Sequence, residues 1–402
     1  MTSKSVLYLS YNGALEPIFR SQGLSYLEQL SREGWKVVLL TFEKKEDLTR
    51  AGSGVETLRK QLEKKGIFWH FRRYHKRPPV LSTVWDSCIG FFEAWKLSRK
   101  YRVGLIHARG TIPASFGRAV SKGQRKPFLF DVRGFLAEEY ADGGIWKRGT
   151  VVFRIVSRLE KFFLRSADGV VVLTQRARAY LQQQELCRAD VPVAVIPCCV
   201  DLKRFETAQG RESRITDFRL LYAGSLGTWY LLEQMLDFYQ ILKKKIPAAS
   251  FQILTQTRDQ ALRDRLRPYS EDGISVQEVS YEEIPERMSS AKAGISFIKP
   301  VFSKMVSSPV KIGEYLASGL PVILNPNVGD TETLIRENRV GVVVSGFETS
   351  CYEKAVEELA DLLKEGDTLS MRCRNVASLK LSLEEGARRY DAMYRSLLEK
   401  RP

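Results

Sequence analysis

The segment at residues 307–323 reads SSPVKIGEYLASGLPVI. Ser308 can cap a short helix that the following proline opens, and Gly319 can end it. Lys311 and Glu314 are three residues apart, so they share one helix face close to the N-terminus, where free backbone N–H groups favour an anion. The segment therefore predicts an anion pocket with a carboxylate at its rim, suited to a nucleotide diphosphate and its ribose. The alternative is an exposed ion pair on an ordinary helix.

Strands and helices alternate on both sides of this segment. In the first half we predict strands at 6–10, 37–40, 104–106, 127–130, 170–173 and 193–196, with helices at 22–33, 86–101, 113–122, 149–166 and 175–185. In the second half we predict strands at 220–224, 250–255, 274–276, 293–297, 322–324 and 341–344. Apolar strands that alternate with helices are typical of parallel sheets. The sequence thus predicts an α/β protein with two Rossmann-like domains facing a cleft.

The domain boundaries follow from the same pattern. We expect residues 1–205 to form the first domain and residues 206–381 the second, which opens with a polar linker at 206–217. Residues 382–402 have apolar side chains at helical spacing and predict a terminal helix.

The composition is that of an ordinary globular protein, with 402 residues of which 44% are hydrophobic and 27% charged. The six cysteines and three histidines show no metal-binding spacing, and no Asp-x-Asp motif occurs. We therefore expect reduced thiols and no metal site. The sequence contains no apolar run of about 18 residues, the length that would predict a transmembrane helix. We expect neither a secretory signal nor a membrane span.

The formal net charge of +16 indicates an anionic partner or a solvated basic surface. Basic and aromatic residues alternate at 69–77. A second basic set, spaced as one face of an amphipathic helix, comprises Arg148, Arg154, Arg158, Lys161 and Arg165. A solvated surface and docking on an anionic membrane are about equally good interpretations. A nucleic-acid partner is less favoured, because no nucleic-acid-binding motif accompanies the charge.

Several motifs resemble those of group 1 glycosyltransferases of family 4, which have the GT-B fold. Residues 311–322 match the donor segment of that family, Lys-x-x-Glu-Tyr-x-Ala-x-Gly-x-Pro-Val, and NPNVGD follows at 325–330. Residues 196–205 resemble the interdomain signature. Residues 131–135, DVRGF, are similar to an Asp-x-Arg-Gly segment of members that build polysaccharides.

This resemblance implies that the first domain binds the acceptor, that the second binds a nucleotide-sugar donor, and that the terminal helix packs back on the first. It implies His107 and Glu314 as catalytic residues, the latter on the ribose, and Arg133 and Glu138 as acceptor-binding residues. A structural role is the alternative for His107 and Arg133, and a simple turn for Gly13. The expected donor-binding residues are Gly13, Gly224, Ser225, Gly227, Lys299, Lys304, Ser308, Lys311 and Glu314.

The chain also departs from the family pattern. Residues 224–230 read GSLGTWY and lack the Arg and Lys that hold the donor diphosphate in the family. Lys299, Lys304 or Lys311 would then supply the positive charge. Val306 stands where the family has the first Glu of a pair.

We therefore expect a metal-independent, retaining glycosyltransferase without a cofactor. Its substrates would be a nucleotide-sugar, UDP-linked, and a lipid-linked or growing saccharide in the biosynthesis of a cell-surface polysaccharide. We expect a cytoplasmic protein, peripheral at the inner membrane face, with no nucleic-acid partner. The alternatives are a nucleotide-sugar epimerase of GT-B fold and a non-catalytic scaffold that binds nucleotide or glycan.

Overall fold

The structure is a computed structural model that describes residues 4–208, 218–255, 260, 264, 266–269, 272–280 and 282–399. The chain divides into two units, the first formed by Met1–Pro197 and Leu383–Pro402 and the second by Cys198–Ser382. The division falls after Pro197, whereas the sequence places it after residue 205. The reason is that Val200 and Phe205 are buried in the core of the second unit. Most of the predicted linker at 206–217 lies outside the described residues.

A seven-stranded parallel sheet forms the centre of the first unit. Its strands are Ser5–Ser10 (β1), Lys36–Glu43 (β2), Ile67–Arg73 (β3), Leu105–Arg109 (β4), Phe128–Asp131 (β5), Gly169–Val172 (β6) and Val193–Val195 (β7). They lie in the order β3-β2-β1-β4-β5-β6-β7, the order of a doubly wound sheet. In such a sheet the loops at the carboxyl ends of the strands meet along one edge.

Helices precede or follow each strand of this sheet. In the first unit they are Pro17–Phe19, Ser25–Arg32, Lys45–Ala51, Gly54–Lys64, Leu81–Lys100, Thr111–Gln124, Leu136–Asp142, Val151–Ser166, Gln175–Gln183 and Leu383–Glu399. A π-helical turn, Arg20–Leu24, precedes the second of them.

The helix Leu383–Glu399 completes the core of the first unit. The Trp35 indole N–H donates to the Asp391 carboxylate at 2.7 Å. The rings of Tyr26 and Tyr390 lie edge to face, with centres 5.4 Å apart. The first unit is therefore built from two separate pieces of the chain.

The edge strand β3 is not predicted from the sequence, where residues 69–77 form a basic and aromatic cluster. Trp69 is buried, and its indole N–H donates to the Thr41 hydroxyl at 2.8 Å. Arg72 and Arg73 end the strand in solvent. The cluster is thus divided between a partly buried edge strand and an exposed basic stretch.

A six-stranded parallel sheet forms the centre of the second unit. Its strands are Arg219–Ala223 (β8), Ser250–Thr255 (β9), Ile274–Glu278 (β10), Ala293–Ser296 (β11), Val322–Leu324 (β12) and Gly341–Val343 (β13), in the order β10-β9-β8-β11-β12-β13. The helices are Leu232–Lys245, Ile284–Met288, Phe302–Met305, Val310–Ala317, Thr331–Asn338, Thr349–Leu363 and Asp367–Leu381, with 3-10 turns at Leu202–Ala208 and Arg267–Tyr269.

None of the helices in the described part of the chain is both long and apolar enough to span a bilayer.

Candidate active site

Tyr315 fixes the helix Val310–Ala317 against the sheet of the second unit. Its hydroxyl accepts a hydrogen bond from the Ala223 N–H at 2.9 Å, and it lies 3.3 Å from the Ile295 carbonyl, to which it donates. Lys311 is one turn earlier on the same helix face. The sequence therefore brings the lysine to the carboxyl end of β8.

The ammonium group of Lys311 lies in an enclosed aromatic pocket. The side chain is 5% exposed, and Nζ lies 3.9 Å from the centre of the Tyr222 ring and 3.8 Å from that of Tyr230. A Cβ atom at Gly224 would lie 2.8 Å from Nζ, and the φ of +137° at this glycine also disfavours a side chain. A side chain at position 224 would therefore strain the backbone and crowd the lysine.

Lys311 Nζ has no hydrogen-bond partner among the described residues. Burial holds the pKa of Lys311 well below its usual value, and the nearby Glu314 carboxylate opposes this shift. The two tyrosine rings replace part of the lost hydration by cation–π attraction. Because buried donors without acceptors are costly, an anionic ligand would complete this pocket.

Glu314 is also buried, with 8% of its surface exposed. Burial raises the pKa of Glu314, while the positive charges of Arg204 and Lys311 act in the opposite direction. Lys311 Nζ makes no hydrogen bond to this carboxylate. The alternative of an exposed ion pair is wrong, because both side chains are removed from solvent without pairing directly.

Ser308 does not cap the helix, contrary to the sequence prediction. The helix begins at Val310, and Pro309 occupies the N-cap position in an extended conformation. This extended entry keeps the Ser308 side chain away from the first turn, and its hydroxyl accepts a hydrogen bond from the Cys198 N–H at 3.1 Å instead.

The loop after β8 contains the other expected donor contacts. The Gly224 N–H donates to the Leu254 carbonyl at 2.9 Å, so it is not free for a phosphate. The Ser225 carbonyl accepts a hydrogen bond from the Tyr222 hydroxyl at 2.7 Å, and Gly227 is exposed.

Two lysines after β11 approach the same loop. Lys304 Nζ lies 4.1 Å from the centre of the Trp229 ring. The Lys299 N–H donates to the Trp229 carbonyl at 2.9 Å, and its side chain is exposed. Aromatic residues at 222, 229 and 230 thus surround two of the three candidate cations. Sequence reasoning missed this aromatic role, although Trp229 and Tyr230 are adjacent in the segment where the family cations are absent.

The loop after β1 binds carboxylates of its own unit. The Gly13 N–H donates to Glu16 at 3.2 Å, and the N–H groups of Ala14 and Leu15 donate to Glu43 at 2.6 and 3.3 Å. Burial raises the pKa of Glu43. The N–H groups that were expected to contact the diphosphate near Gly13 are therefore already bound to carboxylates.

His107 is fully buried in β4. Its Nδ1 lies 2.6 Å from the Tyr394 hydroxyl, and its Nε2 lies 3.4 Å from Asp131. Burial lowers the pKa of His107, while Asp131 opposes the shift. The side chain thus has a structural place beneath the helix Leu383–Glu399, which does not support the expected catalytic contact with a sugar.

The expected acceptor residues lie at and beyond the carboxyl end of β5. Arg133 Nη1 lies 3.7 Å from Asp131, and its side chain is 13% exposed. Burial alone would raise the pKa of Asp131, but Arg133, His107 and Arg109 lower it to about 2. Glu138 is paired with Arg148 at 2.8 Å. Arg133 therefore has the structural ion pair considered as its alternative, and Glu138 is engaged by a basic residue.

Glu160 is a buried carboxyl group that the sequence did not single out for a role. It accepts hydrogen bonds from the Thr111 hydroxyl at 2.8 Å and from the Leu136 N–H at 2.6 Å. Burial raises the pKa of Glu160 to about 7. The residue joins three helices of the first unit.

Part of the chain matches one family model of known proteins. Residues 24–199 match the family model described as a glycosyl transferase 4-like domain. A comparison with curated proteins finds no match.

Solved structures of similar fold cover nearly the whole chain. A glycosyltransferase from Rickettsia africae has a TM-score of 0.73 and 15% identity, with 100% of each chain covered. Sucrose-phosphate synthase from Thermosynechococcus elongatus has a TM-score of 0.70 and 17% identity, with 99% of this chain and 100% of that chain covered. HepE from Anabaena, in complex with UDP and glucose, has a TM-score of 0.69 and 14% identity, with 97% and 99% covered. These similarities confirm the predicted GT-B fold class with two Rossmann-like domains.

Proposed function

We propose that this chain, a glycosyltransferase of GT-B fold with a glycosyl transferase 4-like domain at residues 24–199, transfers a sugar from a UDP-linked donor to a lipid-linked or growing saccharide. The observation that carries the proposal is the buried, unpartnered ammonium of Lys311 beside Glu314 in the second unit. The structure of the Anabaena relative in complex with UDP and glucose supports a UDP-linked donor.

The pocket offers the chemistry that departure of a nucleoside diphosphate requires. Lys311 would donate to the diphosphate oxygens and stabilise the charge that develops on the leaving group. Glu314 would accept hydrogen bonds from the ribose hydroxyls through its carboxylate. Lys304 and Lys299 would add positive potential near the same loop. In this proposal the reaction is retaining and uses no metal ion.

The first unit would hold the acceptor through Arg133, in a pathway that builds a surface polysaccharide.

We also propose that the protein docks on the inner face of the membrane. The helix Val151–Ser166 supports this proposal, because exposed apolar residues lie beside exposed basic ones along it. The exposed apolar residues are Val151, Ile155, Leu159 and Phe162, and the exposed basic residues are Arg154, Arg158, Lys161 and Arg165. Arg148 does not belong to this face, because it precedes the helix and pairs with Glu138 and Asp142.

Donor binding and transfer by purified variants test the proposal. Glu314→Ala should weaken UDP binding and raise the donor half-saturation concentration on the order of tenfold or more, since hydrogen bonds to a charged group are worth about 1.5–3 kcal/mol. Glu314→Gln should lose less, because it keeps the shape and one acceptor. Glu353→Ala, at an exposed carboxylate of the same unit, serves as the control.

Circular dichroism and thermal unfolding must accompany these assays, because Glu314 is buried and its replacement can affect the fold. UDP affinity of a folded Glu314→Ala protein within twofold of wild type would refute the ribose assignment. Product analysis without an acceptor identifies an epimerase, which alone would convert the donor sugar into its isomer.

A further inference from the structure

The first unit contains a large apolar cavity that the donor chemistry does not use. Its volume is about 740 Å³, within the range of small-molecule sites. The helices Leu81–Lys100, Thr111–Gln124 and Val151–Ser166 form most of its wall. Among the residues that line it, all of which are described, Lys76 is the only charged one.

The mouth of this cavity exposes large apolar side chains to solvent. Three of the residues that line the cavity are exposed, Phe92 by 71%, Ile145 by 66% and Val84 by 56%. Adjoining exposed apolar residues of this size mark a binding site rather than an ordinary surface. The occupant that removes this surface from water must itself be apolar over much of its length.

A basic pocket of about 660 Å³ adjoins the cavity and shares Tyr74 and Lys76 with it. Lys45, Arg73 and Arg77 also line the basic pocket, and among its lining residues, which are all described, Glu46 is the only acidic one. The side chains of these basic residues are exposed and can turn towards an anion.

The stretch between the two pockets is fixed to the fold. The N–H and Nδ1 of His75 lie 3.0 and 2.5 Å from the carboxylate oxygens of Asp86, which is fully buried in the helix Leu81–Lys100. The Tyr11 hydroxyl donates to the same carboxylate at 2.7 Å. The basic pocket is therefore held at the entrance of the apolar cavity.

An apolar cavity that continues into a cationic pocket fits an amphipathic ligand with an anionic head. The basic pocket follows the carboxyl ends of β2 and β3, and Arg133 follows the carboxyl end of β5. Ligands of doubly wound sheets bind along this edge. A saccharide attached to the anionic head would therefore extend along the edge where the acceptor is proposed to lie.

We propose that the first unit binds a phosphate-headed lipid, with hydrocarbon in the apolar cavity and the phosphate in the basic pocket. The inference rests on the proposed function, because this lipid is the carrier part of the acceptor. It assigns the carrier to a defined cavity, in addition to any contact of the protein with a bilayer surface.

Binding of simple amphiphiles to the full chain tests this site without any sugar donor. Dodecyl phosphate, kept below its critical micelle concentration, should bind in calorimetry and displace a fluorescent fatty-chain probe. Decyl phosphate should bind on the order of tenfold more weakly, because each buried methylene contributes about fourfold in affinity. Dodecanol and inorganic phosphate, which each lack one half of the ligand, should bind far more weakly than dodecyl phosphate.

Two kinds of variant separate the two halves of the site. Val84→Asp places a carboxylate in the apolar wall at a position already 56% exposed, and it should abolish dodecyl phosphate binding while the protein stays folded. The matched control is Leu379→Asp, at an apolar residue of the second unit that is 74% exposed. Lys45→Glu with Arg77→Glu should remove the preference for dodecyl phosphate over dodecanol, and Lys354→Glu with Lys380→Glu is the control of equal charge change.

The outcomes distinguish the lipid site from the proposed function. Dodecyl phosphate binding that Val84→Asp abolishes, in a protein that transfers no sugar, would support the site and refute the function. Transfer to a soluble saccharide by a protein that does not bind dodecyl phosphate would refute the site and leave the function. Binding to anionic vesicles without binding to the dispersed amphiphile would also overturn the inference, because it assigns the apolar surface to bilayer docking.

Discussion

At the scale of single residues, Lys311 predicts that donor binding takes up protons. Burial holds its pKa well below the usual value of 10.5 in the free protein, and diphosphate oxygens near the ammonium would raise it again. Between the lowered and the raised pKa, the complex therefore binds more protons than the free protein. Calorimetry of UDP binding over a series of pH values, in buffers of different ionisation enthalpy, should show net proton uptake between the lowered and the raised pKa.

The variant Lys311→Met identifies the source of these protons. It keeps an apolar stem under Tyr222 and Tyr230 but cannot be protonated, so its UDP binding should be weaker and free of proton uptake. Lys354→Met, at an exposed lysine of the same unit, should behave as wild type. Equal proton uptake by Lys311→Met and wild type would assign the protons to another group.

Glu160 predicts a dependence of stability on pH. Its pKa is raised from 4.5 to about 7 in the folded protein, so between these values the folded state binds more protons than the unfolded state. The stabilisation of the folded state by Glu160 is therefore complete below pH 4.5. It is lost as the pH rises through 7, up to a total of about 3 kcal/mol in the free energy of unfolding.

Urea unfolding at several pH values measures this effect on the free energy of unfolding. Glu160→Gln should flatten the decline of the free energy of unfolding between pH 4.5 and about 7. Glu353→Gln, at an exposed site, should leave this decline unchanged. A decline of the same size in Glu160→Gln would mean that other groups cause it.

Individual site residues could be predicted from the sequence where local spacing determines their position. Lys311 and Glu314 share a helix face by their separation, and the structure brings both to the same buried region. The side chain of His107 is held by Tyr394, which follows 287 residues later in the chain and covers it. At Gly13 the neighbouring N–H groups are bound by Glu43, which follows from the pairing of β1 and β2 rather than from the loop itself. Such long-range contacts leave no local pattern in the sequence.

At the scale of elements, the helix Val151–Ser166 predicts salt-sensitive binding to anionic membranes. Replacing Arg154, Arg158 and Lys161 by Glu should release the protein from anionic vesicles, since each basic residue near the surface contributes about 1 kcal/mol. Vesicle flotation at increasing salt measures the effect, which should decline for wild type as the Debye length shortens.

A control of equal charge change shows whether the position of these residues matters. Lys244, Lys354 and Lys380 are exposed in the second unit, and their triple replacement by Glu should retain vesicle binding. Transfer to a soluble acceptor should be preserved in both triple variants. Equal vesicle binding by wild type and the helix variant would exclude this helix as the docking face.

Most strands could be predicted because they are short apolar runs between helices. The strand β3 could not, because its two arginines and its histidine conceal a strand that buries Ile67 and Trp69. The apolar cavity could not be predicted from the sequence either. Its wall is assembled from three helices whose apolar residues each look like ordinary core positions in sequence.

At the scale of the whole molecule, the proposed chemistry predicts activity without a metal ion. The sequence contains no Asp-x-Asp motif, and the diphosphate would be held by lysine rather than through a divalent cation. Transfer should persist in excess EDTA at the wild-type rate. Loss of activity that added magnesium or manganese restores would refute the metal-free mechanism.

The two series of strands and helices allowed the fold class to be predicted, but not where one unit gives way to the next. Residues 198–205 follow the last strand of the first unit in sequence, yet Val200 and Phe205 belong to the second core. A sequence signature shared with a family indicates that such a junction is near, but it does not tell into which of the two cores its residues pack.

The return of the chain to its first unit affects the order in which the protein folds during synthesis. Domains usually fold in the order in which they leave the ribosome. Here the second unit, Cys198–Ser382, is continuous and is complete before the helix Leu383–Glu399 has been made. Until then the surface around Tyr8 and His107 lacks the tyrosines that cover it. The unit that is translated first is therefore finished last, and a nascent chain must keep its apolar surface from aggregating for the whole interval.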